Sequence, residues 1–256
     1  MTSILERPAP PPALTIPYGP DPDQVIDLRL PTRTPAQLIV LVHGGFWRAA
    51  YDRTHLGPMA QALADLGYVV AVPEYRRTGW PDTFDDIAAV FDQVSGLAAA
   101  HGADTGQITW AGHSAGGHLV LWAAARPYFP ASSPWCGGCD ATRVVSLAGC
   151  SSLRLCAAWN LSDGAVRDLM GGAPDEVPER YAAADPAALI PPSVPVRLLH
   201  GTADDQVPPG MSQAFQVGRL TEIPGAGHYD LIDPATPAWG TVLSALGPLL
   251  PADALP

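Results

Sequence analysis

Positive charge is scarce in this chain. Its 14 Lys+Arg face 25 Asp+Glu, for a formal net charge of −11 at pH 7. That balance excludes the basic stripe that holds nucleic acid, and it repels anionic membrane surfaces. No apolar run reaches the roughly 20 residues needed to cross a bilayer, and no segment repeats at a fixed period. Residues 1–17 carry many prolines but lack the charged-then-apolar pattern of a secretion leader. They read as a poorly ordered or surface-wrapped arm, and the protein is expected in the cytoplasm.

Cysteine is scarce too, with four residues: Cys136, Cys139, Cys150 and Cys156. Cys136-Gly137-Gly138-Cys139 has the spacing of a metal knuckle or redox pair. A zinc site needs two further ligands, and Cys150 and Cys156 supply no matching close pair. The four read as idle or loosely paired thiols, and no metal is expected. Cys150 follows a strand near the face where a site would form, so it is a candidate pocket wall.

What is present is a large apolar fraction, 47% of 256 residues, enough for one sizeable core. Strand-like runs at 38–42, 68–72, 143–147, 196–201 and 220–223 alternate with helix-like runs at 56–66, 84–100, 115–125, 211–217 and 239–249. That alternation implies an α/β domain over 18–256, its mostly parallel sheet covered by helices on both faces. The stretch 151–192 is the least regular of the chain, contains several Pro and Gly residues, and on these grounds reads as a surface excursion.

The most specific signal is Ile108-Thr109-Trp110-Ala111-Gly112-His113-Ser114-Ala115-Gly116-Gly117. An apolar strand ends in Gly-x-Ser-x-Gly and a helix-like run follows, the context a nucleophile elbow requires. Side chains at Gly112 or Gly116 would collide with the neighbouring strand and helix. The turn lifts the Ser114 hydroxyl to the carboxyl end of the sheet, beside a helix N-terminus with free N–H groups. The bland alternative is a small-residue turn.

Two further signals match it. Strand 38–42 runs into His43-Gly44-Gly45-Phe46-Trp47, where glycines let backbone N–H groups face a ligand. Acyl transfer develops an oxyanion that such donors stabilise. The expected donors are Gly45 or Phe46 together with Ala115, and His43 is expected to buttress the loop. Downstream, Asp204 or Asp205 follows strand 196–201, and His228 sits in Gly225-Ala226-Gly227-His228 after strand 220–223. Serine needs an imidazole to take its proton, and the imidazole needs a carboxylate to hold its tautomer. Asp230 and Asp233 are less favoured as the acid, being so close in sequence to His228. Of the other histidines, His55 and His101 read as exposed, His113 and His118 as packing residues, and His200 as a buried hydrogen-bonding residue.

With these residues in place, the chain resembles the α/β-hydrolase superfamily, and within it the esterase and kynurenine-formamidase-like branch. The likeness rests on His43 to Trp47, Gly112 to Gly117, His200-Gly201-Thr202-Ala203-Asp204 and Gly227-His228-Tyr229-Asp230, with support from Tyr18-Gly19-Pro20 ahead of Asp27-Leu28-Arg29. It spans about residues 18–250 and implies that 151–192 is a lid-like insertion over the nucleophile. The resemblance implies Ser114 as nucleophile, Asp204 as acid, His228 as base and Gly44 to Phe46 as oxyanion loop. Phe46 stands where a third glycine is common.

The implied activity is cofactor-free hydrolysis of a small-molecule ester or N-formyl aryl amide through an acyl-enzyme on Ser114. Trp47 and Trp80, with Phe46, are expected to supply aromatic walls that bind substrate. A general short-chain carboxylesterase, and a binding protein on the same fold without turnover, are the alternatives.

Overall fold

The computed structural model describes residues 3–247. Its centre is an eight-stranded sheet in the order β1-β2-β4-β3-β5-β6-β7-β8. The strands are β1 (Leu14–Pro17), β2 (Val25–Arg29), β3 (Ala36–Val42), β4 (Val69–Pro73), β5 (Ala103–His113), β6 (Arg143–Leu147), β7 (Val196–Gly201) and β8 (Arg219–Ile223). From β4 to β8 across the sheet every pairing is parallel, whereas β1–β2 and β2–β4 are antiparallel. This is the mostly parallel, helix-covered architecture expected.

The period of two residues in a strand divides the core into two layers. In β3, Leu38, Val40 and Val42 belong to one layer, and Ile39 and Leu41 to the other. In β4, Val69 and Ala71 join the first layer, Val70 and Val72 the second. Helices α2 (Asp82–Ala99) and α3 (Ala115–Ala125) bury residues in the first layer. Helices α1 (Gly57–Asp65) and α8 (Trp239–Leu246) bury theirs in the second. A strand covered on both faces has no polar side to present, which is why these strands read as continuous apolar runs.

Several boundaries differ from the sequence reading. Helix α1 is preceded by a 3₁₀ turn at Arg53–Leu56. Helix α7 (Gly210–Ala214) stops before 217 because Phe215 turns to extended backbone. Helix α8 ends at Leu246, where Gly247 is extended; positions 248 and 249 of the expected helix lie outside the described residues, as do residues 1–2 of the arm. The larger difference is the hairpin β1–β2. Leu14–Pro17 of the proline-rich arm pairs with β2 in the register Leu14↔Leu28 to Pro17↔Val25. Pro17 is tolerated because an edge strand has one side free of ladder bonds.

Segment 151–192 folds into three short helices, α4 (Leu153–Ala158), α5 (Ala165–Met170) and α6 (Pro178–Ala184). Val166, Leu169, Met170, Tyr181 and Ala184 are buried in the first core layer. Among the described residues, no helix is long and apolar enough to cross a membrane.

Candidate active site

Strands β3, β5, β7 and β8 are parallel, so the loops leaving them emerge at one end of the sheet, where ligands bind in open α/β folds. Ser114 is the single residue between β5 and α3, with φ 56° and ψ −119°. A non-glycine residue in that region costs about 1–3 kcal/mol and persists only where its surroundings enforce it. Here the enforcement is direct. The Ser114 N–H donates to the Leu147 carbonyl at 2.9 Å, and the Ser114 carbonyl accepts from Cys150 at 3.2 Å and His118 at 3.3 Å. A Cβ on Gly112 would fall on the Gly116 carbonyl, and one on Gly116 on the Val42 carbonyl. Both glycines are therefore steric requirements of the turn.

Asp204 and His228 meet in a buried pair, with His228 Nδ1 2.7 Å from Asp204 Oδ2. The other carboxylate oxygen accepts the backbone N–H groups of Gln206 at 2.9 Å and Val207 at 2.8 Å. His200 Nε2, which donates to the Val207 carbonyl at 2.8 Å, also lies 3.3 Å from Asp204 Oδ2. Burial alone would push the Asp204 carboxyl up, but the hydrogen bonds from His200 and His228 outweigh it and hold the group below the usual carboxylate range. Because Nδ1 faces Asp204, Nε2 of His228 is left as the basic nitrogen.

The competing acids lie elsewhere. Asp205 is exposed and accepts from Gln206 Nε2 at 3.1 Å. Asp230 accepts the Gly227 N–H at 2.7 Å, and Asp233 pairs with Arg7. His55, expected on the surface, is buried, and that burial pushes it down to about 4. His113 is held well below its ordinary value by burial and by His228, and its Nε2 lies 3.0 Å from the His228 carbonyl.

The loop after β3 sits against the elbow. A Cβ on Gly44 would come within 2.8 Å of the Ser114 Cβ and 2.9 Å of the His113 carbonyl. Gly45, Phe46 and Trp47 all have positive φ, at 108°, 49° and 56°. Ala115 opens α3, and N–H groups of a first helical turn have no partner within the helix. The loop is braced from behind. His43 Nε2 lies 2.8 Å from Glu74 Oε1, and the Tyr75 hydroxyl donates to the His43 carbonyl at 3.1 Å. Glu74 also pairs with Arg77 and accepts the Arg53 N–H at 3.0 Å. Glu74 was not legible in the sequence, since a lone acid after a strand matches no motif.

Ser114, His228, Gly45 and Phe46 line a common cavity of about 100 Å³. Leu5, Arg48, Tyr51, Gln206 and Tyr229 share that lining, and Ser162 is the contribution of segment 151–192. The Arg48 guanidinium donates to the Ser162 carbonyl at 2.6 Å, tying the loop after β3 to that segment. A cavity of about 340 Å³ behind the N-terminal segment is larger, but Ser114, Asp204 and His228 are absent from its lining.

Two expected walls are placed elsewhere. Trp47 is 4% exposed, and its indole N–H donates to His118 Nδ1 at 3.2 Å. Trp80 packs against Phe84 and Trp135, with ring centroids at 5.2 and 4.8 Å. Neither lines the Ser114 cavity. The aromatic rings there are those of Phe46, Tyr51 and Tyr229. Cys150 is also absent from the lining; it is fully buried beside the elbow. Among the described residues, all four cysteines are free and no group of three or more His, Cys, Asp or Glu is placed to hold a metal ion.

The sheet order and the strand–turn–helix at Ser114 define an α/β-hydrolase fold. The chain belongs to the BD-FAE family, which it matches over residues 26–218. It is 29% identical over 243 residues to the esterase LipC of Mycobacterium tuberculosis, covering 85% of this chain and 60% of LipC. It is 26% identical over 230 residues to the carboxylic ester hydrolase LipM of that organism, described as probable, covering 79% and 52%. The chain therefore spans about half to three-fifths of these relatives' length. Among solved structures, esterase B from Lactobacillus rhamnosis superposes with a TM-score of 0.72 at 21% identity, covering 92% of this chain and 85% of that one.

Proposed function

We propose that this protein is a serine hydrolase that cleaves small carboxylic esters through an acyl-enzyme on Ser114. The observation that carries the reading is the buried 2.7 Å contact between His228 and Asp204, on a ring that shares a cavity with a serine held on a strained elbow. In this reading Ser114 Oγ attacks the ester carbonyl and His228 Nε2 takes its proton. Asp204 keeps the ring in the Nδ1–H tautomer and stabilises the imidazolium. The N–H groups of Gly45 or Phe46, and of Ala115, receive the oxyanion. His228 then protonates the departing alcohol, and a water deprotonated by the same ring releases the acid.

The names of the relatives, esterases and a carboxylic ester hydrolase, support ester chemistry. A cavity of about 100 Å³, against roughly 300–1,000 Å³ for drug-sized ligand sites, favours acetyl-sized acyl groups. Formyl is smaller still. An N-formyl aryl amide would place its ring among Phe46, Tyr51 and Tyr229, which makes arylformamide hydrolysis the finer form of the same proposal.

The test is kcat/KM for p-nitrophenyl esters of rising acyl length, run beside N-formylkynurenine, with fluorophosphonate labelling of the same samples. Acetate as the best ester and a covalent adduct on Ser114 support the proposal. A maximum at octanoate or beyond contradicts the small-acyl reading. Turnover of esters without N-formylkynurenine leaves a general carboxylesterase, and a protein that neither turns over nor labels is a binding protein on this fold.

A further inference from the structure

Leu5 stands between two cavities. One is the cavity of about 100 Å³ that contains Ser114 and His228. The other, about 340 Å³, lies behind the N-terminal segment and is lined by Pro8, Pro10, Pro11, Pro12 and Val72 as well as by charged groups. Among the described residues lining either space, Leu5 alone is common to both.

The backbone that carries Leu5 is fastened on each side. Ile4 is 5% exposed and joins the second core layer with Leu56 and Leu231. The Ser3 hydroxyl accepts the Leu5 N–H at 3.3 Å, and the Arg7 N–H reaches the Ile4 carbonyl at 3.2 Å. The Arg7 guanidinium grips both carboxylate oxygens of Asp233, at 2.7 and 2.8 Å. Asp233 directly follows the 3₁₀ turn His228–Ile232, so this strap is tied to the segment that carries His228.

A side chain held this way between two spaces is a partition. We propose that Leu5 is a specificity-determining residue that limits substrate length by closing the Ser114 cavity off from the proline-lined cavity behind the strap. The inference rests on Ser114 being the residue that accepts the acyl group. A short ester fits on the near side of Leu5. A longer alkyl group needs the volume the isobutyl group fills, and Leu5, half-buried against the second core layer, yields it only by giving up that packing. Cut back to alanine, the position opens one space into the other. On the far side Arg53 is paired with Asp27 at 2.8 Å and Arg29 donates to Gln61 at 2.8 Å, so both guanidinium groups already hold a partner there.

The experiment compares wild type, Leu5→Ala and Leu5→Trp in two series. One varies acyl length, p-nitrophenyl octanoate against acetate; the other varies alcohol length, octyl acetate against ethyl acetate. Circular dichroism and melting temperature establish that each variant is folded. In at least one series the long-to-short ratio of kcat/KM should rise about tenfold in Leu5→Ala, the scale of a change of a few methylenes in a pocket, and fall in Leu5→Trp. Ratios that stay at the wild-type value in both series and both variants overturn the partition. Failure of the Ser114 reading registers separately, as acetate hydrolysis that survives Ser114→Ala.

Discussion

At the scale of single residues, the arrangement turns on which carboxylate faces His228. Asp204 does so while it accepts the N–H groups of Gln206 and Val207, with His200 Nε2 at 3.3 Å. Asp205, one residue along, is exposed and accepts from the Gln206 side chain. Asp204→Asn is therefore expected to lower kcat by several orders of magnitude, about 10⁴ as for other triad acids, while Asp205→Asn stays within a few-fold of wild type. Steady-state kinetics of the two variants decide it, and equal effects would contradict the placement. The same contacts fix a sign for pH. A carboxyl held below its ordinary value in the folded state contributes stability that is present above the unfolded value near 3.9 and lost as pH falls. The acid limb of unfolding should thus be shallower in Asp204→Asn than in wild type when melting temperature is followed from pH 6 to pH 3.

At the scale of elements, the elbow and the loop after β3 are tight because backbone meets backbone. Gly116→Ala would drive a methyl into the Val42 carbonyl at a junction of β3 and α3, and the expected loss is a few kcal/mol, seen as a drop in denaturation midpoint. Glu74 acts at one remove, through His43. Glu74→Gln should keep the fold and reduce kcat more than it raises KM, since a displaced loop weakens donors needed most when the oxyanion forms. An equal kcat and a raised KM would instead make Glu74 a substrate-side residue. The legibility of these elements in the sequence follows from the same physics. The elbow and the strands after it could be read because glycine sterics and two-face burial leave local marks. The hairpin β1–β2 could not, because a four-residue edge strand ending in Pro17 looks like the proline-rich arm around it. The cavity walls could not either: Phe46 and Trp47 are neighbours in sequence, yet one lines the cavity and the other hydrogen-bonds His118 in the core. Leu5 lies more than a hundred residues from Ser114, and only the tertiary fold brings them together.

At the scale of the whole molecule, a chain with 25 acids and no lysine ties itself together through arginine. Arg53 meets Asp27, Arg76 meets Asp86, Arg126 meets Asp92 and Arg7 meets Asp233. The planar fork of arginine suits such two-point grips. The Arg7–Asp233 pair closes the N-terminal strap onto the His228 segment, and the hydrogen bond from Arg7 holds the Asp233 carboxyl below its usual range. Asp233→Asn should loosen the strap and reduce its response to acid, read as faster proteolysis of residues 3–12 at pH 7 and a smaller change in that rate between pH 6 and pH 3. At one end of the sheet four strands converge to deliver Ser114, the Gly44–Phe46 loop, Asp204 and His228. The most direct test of that convergence is kcat/KM of Ser114→Ala on p-nitrophenyl acetate, with the fold verified by melting temperature. Loss of the proposed nucleophile should lower it by about 10⁴ or more; a folded variant that keeps a tenth of the wild-type rate contradicts the account.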